Sequence, residues 1–438
     1  MRLVTALRRL GRVRPTSRGV GACLVGTALA LVGLALALPD LVGVGAAALL
    51  AVALAWLVTG LQRLEEGRGA LVVRRRATPS PVVRDARTEV RLSVSAAAPT
   101  GAAYERLSRL RLSEQAAHEL AGHEGIRARV HARPERIDVV YALTPSRRGR
   151  WPLGPLLTSR TDVFGLVRAT QPLGGTTAVP VWPRTTELVV RTRTLGDVDR
   201  ASAGGRLQSS DDAVLREYVP GDDPRRVHWA SAARRGQLLV RADESAGVRP
   251  VSVLLDRGLL PHQQDNGTAF SRPAAVADGE WAVDLTASLA TSFLDAGHPA
   301  RILATSTAPA VEGERFVPTR ASRHLLLDAC VDLHGHRGAG EAEQAAGATA
   351  RALRLARRPS ELLVAVIGPQ GPDTRRELAA LGADGSCWAL VVTPHGKGPG
   401  HDAEDTVAEL TAAGWRVARC AARTEIERAW ALLTEEAA

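Results

Sequence analysis

The chain has 438 residues, which is enough for two or three domains, and a formal net charge of +10. Its basic residues are almost all arginine, with Lys397 the one lysine, so the charge points to a GC-rich genome before it points to a nucleic-acid partner. The cysteines are far apart and form no C-x-x-C pair, which argues against a zinc ribbon or a disulfide framework and fits a reducing compartment: Cys23, Cys330, Cys387 and Cys420.

Two uncharged apolar runs follow an arginine-rich start. Residues 1–19 contain six arginines and no acidic residue. The runs from Gly19 to Leu38 and from Leu41 to Leu61 are each close to the roughly 20 residues that a membrane-spanning helix needs. A signal peptide would show a single run and a cleavage site, so the second run favours a membrane hairpin within residues 1–66 over a secretion signal. The alternative is a buried helical hairpin of a soluble protein.

Charge on the flanks of these runs predicts their orientation. Only Pro39 and Asp40 separate the runs, whereas arginines flank both outer ends, and those after the second run are Arg63, Arg68, Arg74, Arg75 and Arg76. Because positive residues near membrane helices stay on the cytoplasmic side, we expect the N-terminus and the large C-terminal part to lie in the cytoplasm. The predicted location is therefore the cell (inner) membrane.

Residues 67–190 change character and predict an all-β sandwich-like domain. Short β-like runs alternate with Pro, Gly and Ser: Leu71 to Arg75, Glu89 to Val94, Ile126 to Ala132, Arg136 to Leu143 and Thr177 to Val181. Gly149 and Gly154 are interpreted as turns, and Phe164 as a core residue at the end of a strand.

A linker and a dense motif occupy residues 191–249. The motif reads VLREYVPGDDPRRVHWASAARRGQLLVRADE from Val214 to Glu244. A strand over Leu215 to Val219 meets a Pro-Gly turn, and Asp223 followed by Pro224 starts a helix over Arg225 to Arg235. Gly236 ends that helix, and a second strand covers Gln237 to Arg241.

The charges of this motif allow two interpretations. Arginines and aspartates are concentrated around Tyr218 and Trp229, in a chain with only 3% aromatic residues. They either lock a buried corner through Arg–Asp pairs or form a docking surface, for which Arg and Trp are the usual anchors. The candidate residues for partner binding or domain coupling are Arg216, Tyr218, Gly221, Asp222, Asp223, Arg225, Arg226, His228, Trp229 and Arg234.

The same residues, with Gly236 and Leu238, resemble the signature of the domain of unknown function 58 family, R-x-Y-x-x-G-D-D-x-R-x-[IV]-x-W. Ala230 departs from the pattern, since the family usually has Lys or Arg there. The earlier stretch TPSRRGRWPLGPLLTSRTDVFGL is similar to the segment that precedes the signature in the family. The resemblance implies a following domain similar to the von Willebrand factor A fold.

Residues 250–438 alternate between strands and helices, which predicts an α/β doubly wound domain with helices on both faces of a parallel sheet. The predicted strands are Pro250 to Asp256, Ala300 to Thr305, Glu361 to Gly368, Cys387 to Thr393 and Trp415 to Cys420. The predicted helices are Glu280 to Ala296, Ala321 to Leu333, Glu341 to Arg357, Asp373 to Leu381, Ala403 to Ala413 and Glu425 to Thr434.

Candidate metal and catalytic motifs in the chain are incomplete. The fold that the resemblance implies usually binds a divalent ion through D-x-S-x-S, but here Asp256 is followed by Arg257 and Gly258, so we expect a degenerate ion site. His118 and His123 are five residues apart, about 140° around a helix, which does not match the zinc-protease motif. No Walker A loop or nucleophile elbow is present, and we expect no catalytic, metal or cofactor residue.

These patterns predict a non-enzymatic, membrane-anchored adaptor or scaffold at the cytoplasmic face. The resemblance implies a MoxR-type AAA+ ATPase as partner and often a transglutaminase-like membrane protein, with membrane lipid around the helices. The alternatives are a metal-dependent enzyme or ligand-binding module that uses the α/β domain, and a nucleic-acid-binding protein. Nucleic acid is not an expected partner, because the arginines of the signature are interleaved with acids and stacking aromatics are lacking.

Overall fold

The computed structural model describes residues 11–62, 64–67, 69–121, 128–190, 215–217, 239–241, 249–262, 273–311, 315–358, 360–382, 386–395 and 402–434. The chain divides into two compact units, Met1–Trp182 and Pro183–Ala438. The finer predicted division at residues 66, 190 and 249 stays a prediction.

In the first unit, a short strand β1 (Val13–Pro15) is followed by two apolar helices. Helix α1 (Ser17–Ala35) starts at Thr16, whose hydroxyl accepts a hydrogen bond from the Gly19 N–H, and α2 (Pro39–Leu61) has proline in its first turn. Both helices are long and apolar enough to cross a membrane, and only 17% and 11% of their most apolar stretches are buried. Most of their apolar surface is therefore exposed.

The two helices pack against each other through small residues at seven-residue intervals. In α1 the buried residues are Gly19, Gly26 and Gly33, and in α2 they include Gly45, Val52 and Thr59. Gly26 and Gly33 contact α2, whereas Gly19 contacts Leu166 of the β-rich domain. A Cβ on Gly45 would lie 2.5 Å from the Gly26 carbonyl oxygen, so these backbones approach too closely for a larger residue. This is the way in which helices pack in lipid, where small residues allow close contact.

The remainder of the first unit consists of two sheets. The first has the strand order β2 (Leu71–Thr78), β4 (Thr88–Ala96), β7 (Arg136–Leu143) and β6 (Ala128–Ala132), all antiparallel. The second has the order β1, β9 (Val167–Leu173), β8 (Gly149–Thr161), β10 (Thr177–Trp182) and β3 (Val82–Val83), and β5 (Arg111–Ala116) also pairs with β8. Helices α3 (Gly101–Ser108) and α4 (His118–Ala121) lie between strands.

One hydrophobic core joins the two sheets and confirms the predicted sandwich-like domain. Val90, Leu92 and Tyr141 of the first sheet pack in it with Leu156 and Leu173 of the second. The alternation of buried and exposed residues along β4 and β7 is that of strands with one face in a core.

Three residue predictions in this domain are wrong. Gly149 and Gly154 do not form turns but lie in the 13-residue strand β8, which begins at Gly149 and continues through Gly154 although both have positive φ values, +137° and +92°. Phe164 is not in the core, because 74% of its side chain is exposed.

The second unit contains a five-stranded parallel sheet, which confirms the predicted α/β class. Its strand order is β14 (Ala300–Ala304), β13 (Val251–Leu255), β15 (Leu362–Ile367), β16 (Cys387–Thr393) and β17 (Arg416–Ala421). The connecting helices are α5 (Pro273–Asp295), α6 (Arg323–Val331), α7 (Ala339–Ala356), α8 (Pro372–Ala379), α9 (Ala403–Ala412) and α10 (Ile426–Thr434). Strands β13 and β15 are buried along their whole length, as strands covered on both faces are.

The segment 183–190, which we predicted as the end of the β-rich domain, runs along helix α5 in the second unit. The backbone N–H groups of Arg184, Thr186 and Leu188 donate to side-chain oxygens of α5, at distances of 3.0, 2.9 and 2.9 Å. The acceptors are spaced four residues apart: Asp284, Ser288 and Ser292. Two residues of an extended segment and four residues of an α-helix both cover about 6 to 7 Å along their axes. Every second N–H of the segment can therefore reach every fourth side chain of α5.

Candidate functional site

The signature motif is described at its two ends only. Strands β11 (Leu215–Glu217) and β12 (Leu239–Arg241) pair antiparallel, with Arg216 opposite Val240. The predicted strands at the two ends of the motif therefore pair with each other. Arg216 lies in β11, and the other candidate residues lie outside the described residues: Tyr218, Gly221, Asp222, Asp223, Arg225, Arg226, His228, Trp229 and Arg234.

The carboxyl ends of the parallel strands form the second candidate site, since ligands of open α/β sheets usually bind at this edge. Asp256 directly follows β13 and is 4% exposed. Its Oδ1 accepts a hydrogen bond from the Gly258 N–H at 2.8 Å, and its Oδ2 accepts from the Gly368 N–H at 3.2 Å and from Gln370 Nε2 at 2.7 Å. The buried carboxylate thus has three N–H donors from the protein itself.

Arg257 and two polar neighbours complete this edge. The Arg257 N–H donates to Thr305 Oγ1 at 2.9 Å, and its side chain donates to the His334 carbonyl oxygen at 2.5 Å. Burial lowers the pKa of Arg257, an effect that Glu341 opposes. His336 lies 3.3 Å from Thr305 Oγ1, and burial, followed by the charge of Arg257, lowers the pKa of its imidazole. The cation of Arg257 therefore lies at an edge where Asp256 and Glu341 also act on the charge of their neighbours.

This arrangement does not fit a divalent ion. Mg²⁺ or Ca²⁺ needs oxygen ligands with free lone pairs, whereas the Asp256 carboxylate faces N–H donors and has a guanidinium on the next residue. Within the described ranges, no group of three or more His, Cys, Asp or Glu side chains is arranged to hold a metal ion.

A buried ionic network lies elsewhere on the same sheet. Arg301 of β14 contacts Glu361 with 2.9 Å between Nη2 and Oε1, and it donates to Ser252 Oγ of β13 at 2.6 Å. The Arg301 side chain also donates to the Val311 carbonyl oxygen at 2.8 Å and stacks on Phe316. These contacts are internal to the fold, which is consistent with a structural role for the network.

Sequence reasoning identified Asp256 but missed its partner Gln370 and the Arg301–Glu361 pair. Asp256 is one residue beyond the end of β13 and Gln370 is three residues beyond the end of β15, and their positions just after buried strands are the signal that could have linked them. Arg301 lies in β14 and Glu361 directly precedes β15, and no sequence pattern marks them as a pair.

The described part of the chain thus combines two helices that could span a membrane, a β-rich domain and an α/β domain without an assembled group of metal-ligating side chains. Residues 214–394 match the family model described as "Protein of unknown function DUF58", which confirms the resemblance over that range. None of the curated proteins matches the chain.

Parts of the chain are similar to several solved structures. One is a von Willebrand factor type A protein from Catenulispora acidiphila, with 15% identity, 43% of this chain and 42% of that chain covered, and a TM-score of 0.25. Another is the PilB minor pilin from Streptococcus sanguinis, with 9% identity, coverage of 74% and 76%, and a TM-score of 0.26. This chain spans less than half the length of the first protein, and TM-scores this low carry no argument about function.

Proposed function

We propose that the chain is a non-enzymatic adaptor that two helices anchor in the cell membrane, with the N-terminus and both folded units on the cytoplasmic side. The observation that carries the proposal is the helix pair, whose glycines pack together and whose outer apolar surface is exposed. Such a surface requires lipid, because water would have to hydrate two helices of exposed leucine and valine.

The folded units support a binding role. The DUF58 match and the α/β fold fit a protein-interaction module. The sheet edge where a ligand would bind is filled by internal contacts of Asp256, Arg257 and Gln370, which disfavours the alternative of a metal-dependent enzyme. The proposed partners are a MoxR-type AAA+ ATPase and a transglutaminase-like membrane protein, both from the family resemblance.

Within this proposal, the signature from Arg216 to Arg234 is the contact surface for the ATPase. Its arginines and Trp229 are of the residue types that dominate binding energy at protein interfaces. Anchoring the surface to the membrane would concentrate the ATPase beside other membrane proteins, which gives an adaptor its effect without a reaction of its own.

A pull-down from native membranes with the tagged full-length chain tests this function. We expect the wild type to recover an AAA+ ATPase and the Arg225→Ala, Arg226→Ala variant to lose it. The matched control is Arg351→Ala, Arg354→Ala, which also removes two arginines, from an exposed face of α7 where both pair with Glu377.

Recovery of the ATPase by wild type and control but not by the signature variant supports the proposal. Equal recovery by all three chains would show that the signature is internal scaffolding and that the contact lies elsewhere. No ATPase with any of them would remove the proposed partner.

A further inference from the structure

The turn between β8 and β9 presents two large apolar side chains to the outside. Val163 and Phe164 are 70% and 74% exposed. The turn is rigid, since the carboxylate of Asp162 accepts hydrogen bonds from the Phe164 N–H at 3.0 Å and from the Val167 N–H at 2.7 Å. Exposing both side chains to water is unfavourable, because the turn forgoes the stabilisation that burying a valine and a phenylalanine would give.

This turn lies directly beside the start of helix α1. The Thr16 N–H donates to the Leu166 carbonyl oxygen at 2.9 Å, and the Thr16 hydroxyl donates to the Gly165 carbonyl oxygen at 2.5 Å. Gly19 touches Leu166 so closely that a Cβ would collide with the carbonyl group. The tip of the hairpin is therefore level with the first turn of α1, where the exposed apolar surface of that helix begins.

The same hairpin, one strand residue before its turn, holds the end of the second helix. Arg160 of β8 is 8% exposed and donates to the Thr59 carbonyl oxygen at 2.7 Å and to Gln62 Oε1 at 2.5 Å. It thereby satisfies a carbonyl group in the last turn of α2, where a cation is also favoured by the helix dipole. One hairpin is thus bonded to the start of α1 and to the end of α2, which fixes the direction of its tip.

Exposed arginines surround the tip. Arg14 of β1 and Arg168 of β9 are both exposed and are directly opposite each other in the strand pairing. Arg18 is exposed in the first turn of α1 and approaches Gly165. Like charges opposite each other destabilise a strand pair, whereas lipid phosphates at the membrane surface would stabilise this one.

We infer that the Val163–Phe164 tip inserts into the bilayer interface beside α1, while Arg14, Arg18 and Arg168 contact phosphate groups of anionic lipids. This inference rests on the proposed membrane anchoring. It adds a third membrane contact to the two helices and identifies the hairpin as the element that holds the β-rich domain against the lipid surface. An aromatic side chain at the headgroup level, with basic side chains around it, is the composition that such an interfacial contact needs.

Spin labels in the reconstituted full-length chain test the inference. Cys23→Ala removes the one free cysteine that is not buried, and single nitroxides are then placed at Phe164→Cys, Leu31→Cys and Val130→Cys. Leu31 on α1 is 62% exposed and reports anchoring, and Val130 on strand β6 is 60% exposed and serves as the water-facing control. The vesicles contain phosphatidylethanolamine and phosphatidylglycerol, and relaxation by oxygen is compared with relaxation by a nickel chelate.

We expect oxygen to be favoured at Leu31 and Phe164, with a ratio several-fold above that at Val130. If Leu31 is in lipid but Phe164 matches Val130, the inference is wrong and the anchoring stands. If Leu31 also matches Val130, the anchoring itself fails. Replacing phosphatidylglycerol by zwitterionic phosphatidylcholine should lower the ratio at Phe164 and leave it unchanged at Leu31. An unchanged ratio at Phe164 would overturn the contact with anionic lipids.

Discussion

Asp256 and Arg301 are both buried charges of the same sheet, yet different chemistry stabilises each of them. Neutral N–H donors surround the carboxylate of Asp256, whereas Arg301 has the opposite charge of Glu361 within 2.9 Å. Asp256 could be predicted from its place after a buried strand. The Arg301 network could not, because pairs across a parallel sheet join residues far apart in sequence.

Arg301 should be among the residues on which folding of the second unit depends most. Arg301→Ala leaves the Glu361 carboxylate buried without its cation, and we expect the free energy of unfolding to fall by about 3 to 5 kcal/mol. The control Arg351→Ala removes an exposed arginine that pairs with Glu377 and should cost less than about 1 kcal/mol. Urea unfolding of the full-length chain in detergent, followed by tryptophan fluorescence, measures both. Equal losses in the two variants would contradict the assignment.

Phe164 shows why one prediction at this scale was wrong. An isolated phenylalanine after a strand is usually a core residue. Sequence alone does not reveal which apolar residues lie on the surface instead. The structure places this one beside α1 at 74% exposure. Gly149 and Gly154 were misinterpreted for a related reason, because glycine marks positive φ and not the end of a strand.

At the scale of elements, the buried small residues of the helix pair recur at regular intervals, which the high mean hydropathy of both helices does not reveal. Gly19, Gly26 and Gly33 repeat every seven residues along α1, and Gly26 and Gly33 face α2, whereas Gly19 faces Leu166. A seven-residue repeat keeps one seam of a helix in contact with its partner, which is the pattern of left-handed pairs. The two spans could be predicted from the uncharged runs, whereas the seam was present in the sequence but overlooked.

This seam predicts a difference between two glycines of α2. Gly45→Leu should force α1 and α2 apart and destabilise the pair by about 1 to 3 kcal/mol, since a Cβ would lie 2.5 Å from the Gly26 carbonyl oxygen and 2.7 Å from the Ala30 nitrogen. Gly43→Leu is the control, because a Cβ there has no neighbour within 4 Å. Thermal unfolding of both full-length variants in the same detergent should lower the midpoint for Gly45→Leu alone. A similar midpoint for both would show that the seam does not hold the helices together.

At the scale of the whole molecule, the C-terminal α/β unit was the most predictable part. Each of its strands and helices has a hydrophobic pattern of a single kind along its whole length, which makes its ends visible in the sequence. The predicted strand Cys387 to Thr393, for example, has the observed bounds. The β-rich domain was less predictable. Strand β8 contains glycine, proline and arginine, and its 13 residues pair with three different strands, which no local pattern encodes.

The orientation of the chain in the membrane can be tested by labelling. Asp40 lies at the start of α2, between the two helices, and Val130 lies in the β-rich domain. In intact cells, a membrane-impermeant maleimide should label Asp40→Cys and not Val130→Cys, each in a Cys23→Ala background. After the cells are opened, both should react. Labelling of Val130→Cys alone in intact cells would reverse the proposed orientation.

The pairing of β1 with β9 has a consequence for synthesis of the chain. Strand β1 precedes both apolar helices, yet Thr16 beside it bonds to Gly165, which is 149 residues further along. A ribosome needs roughly 7 to 30 s to make that length, so the helices can enter the membrane long before β9 exists. During this time Val13–Pro15 has an open edge at the membrane surface, which is a site for mispairing with other nascent strands. Strand β1 is therefore synthesised before the two helices but can pair in its sheet only after β9 has been made.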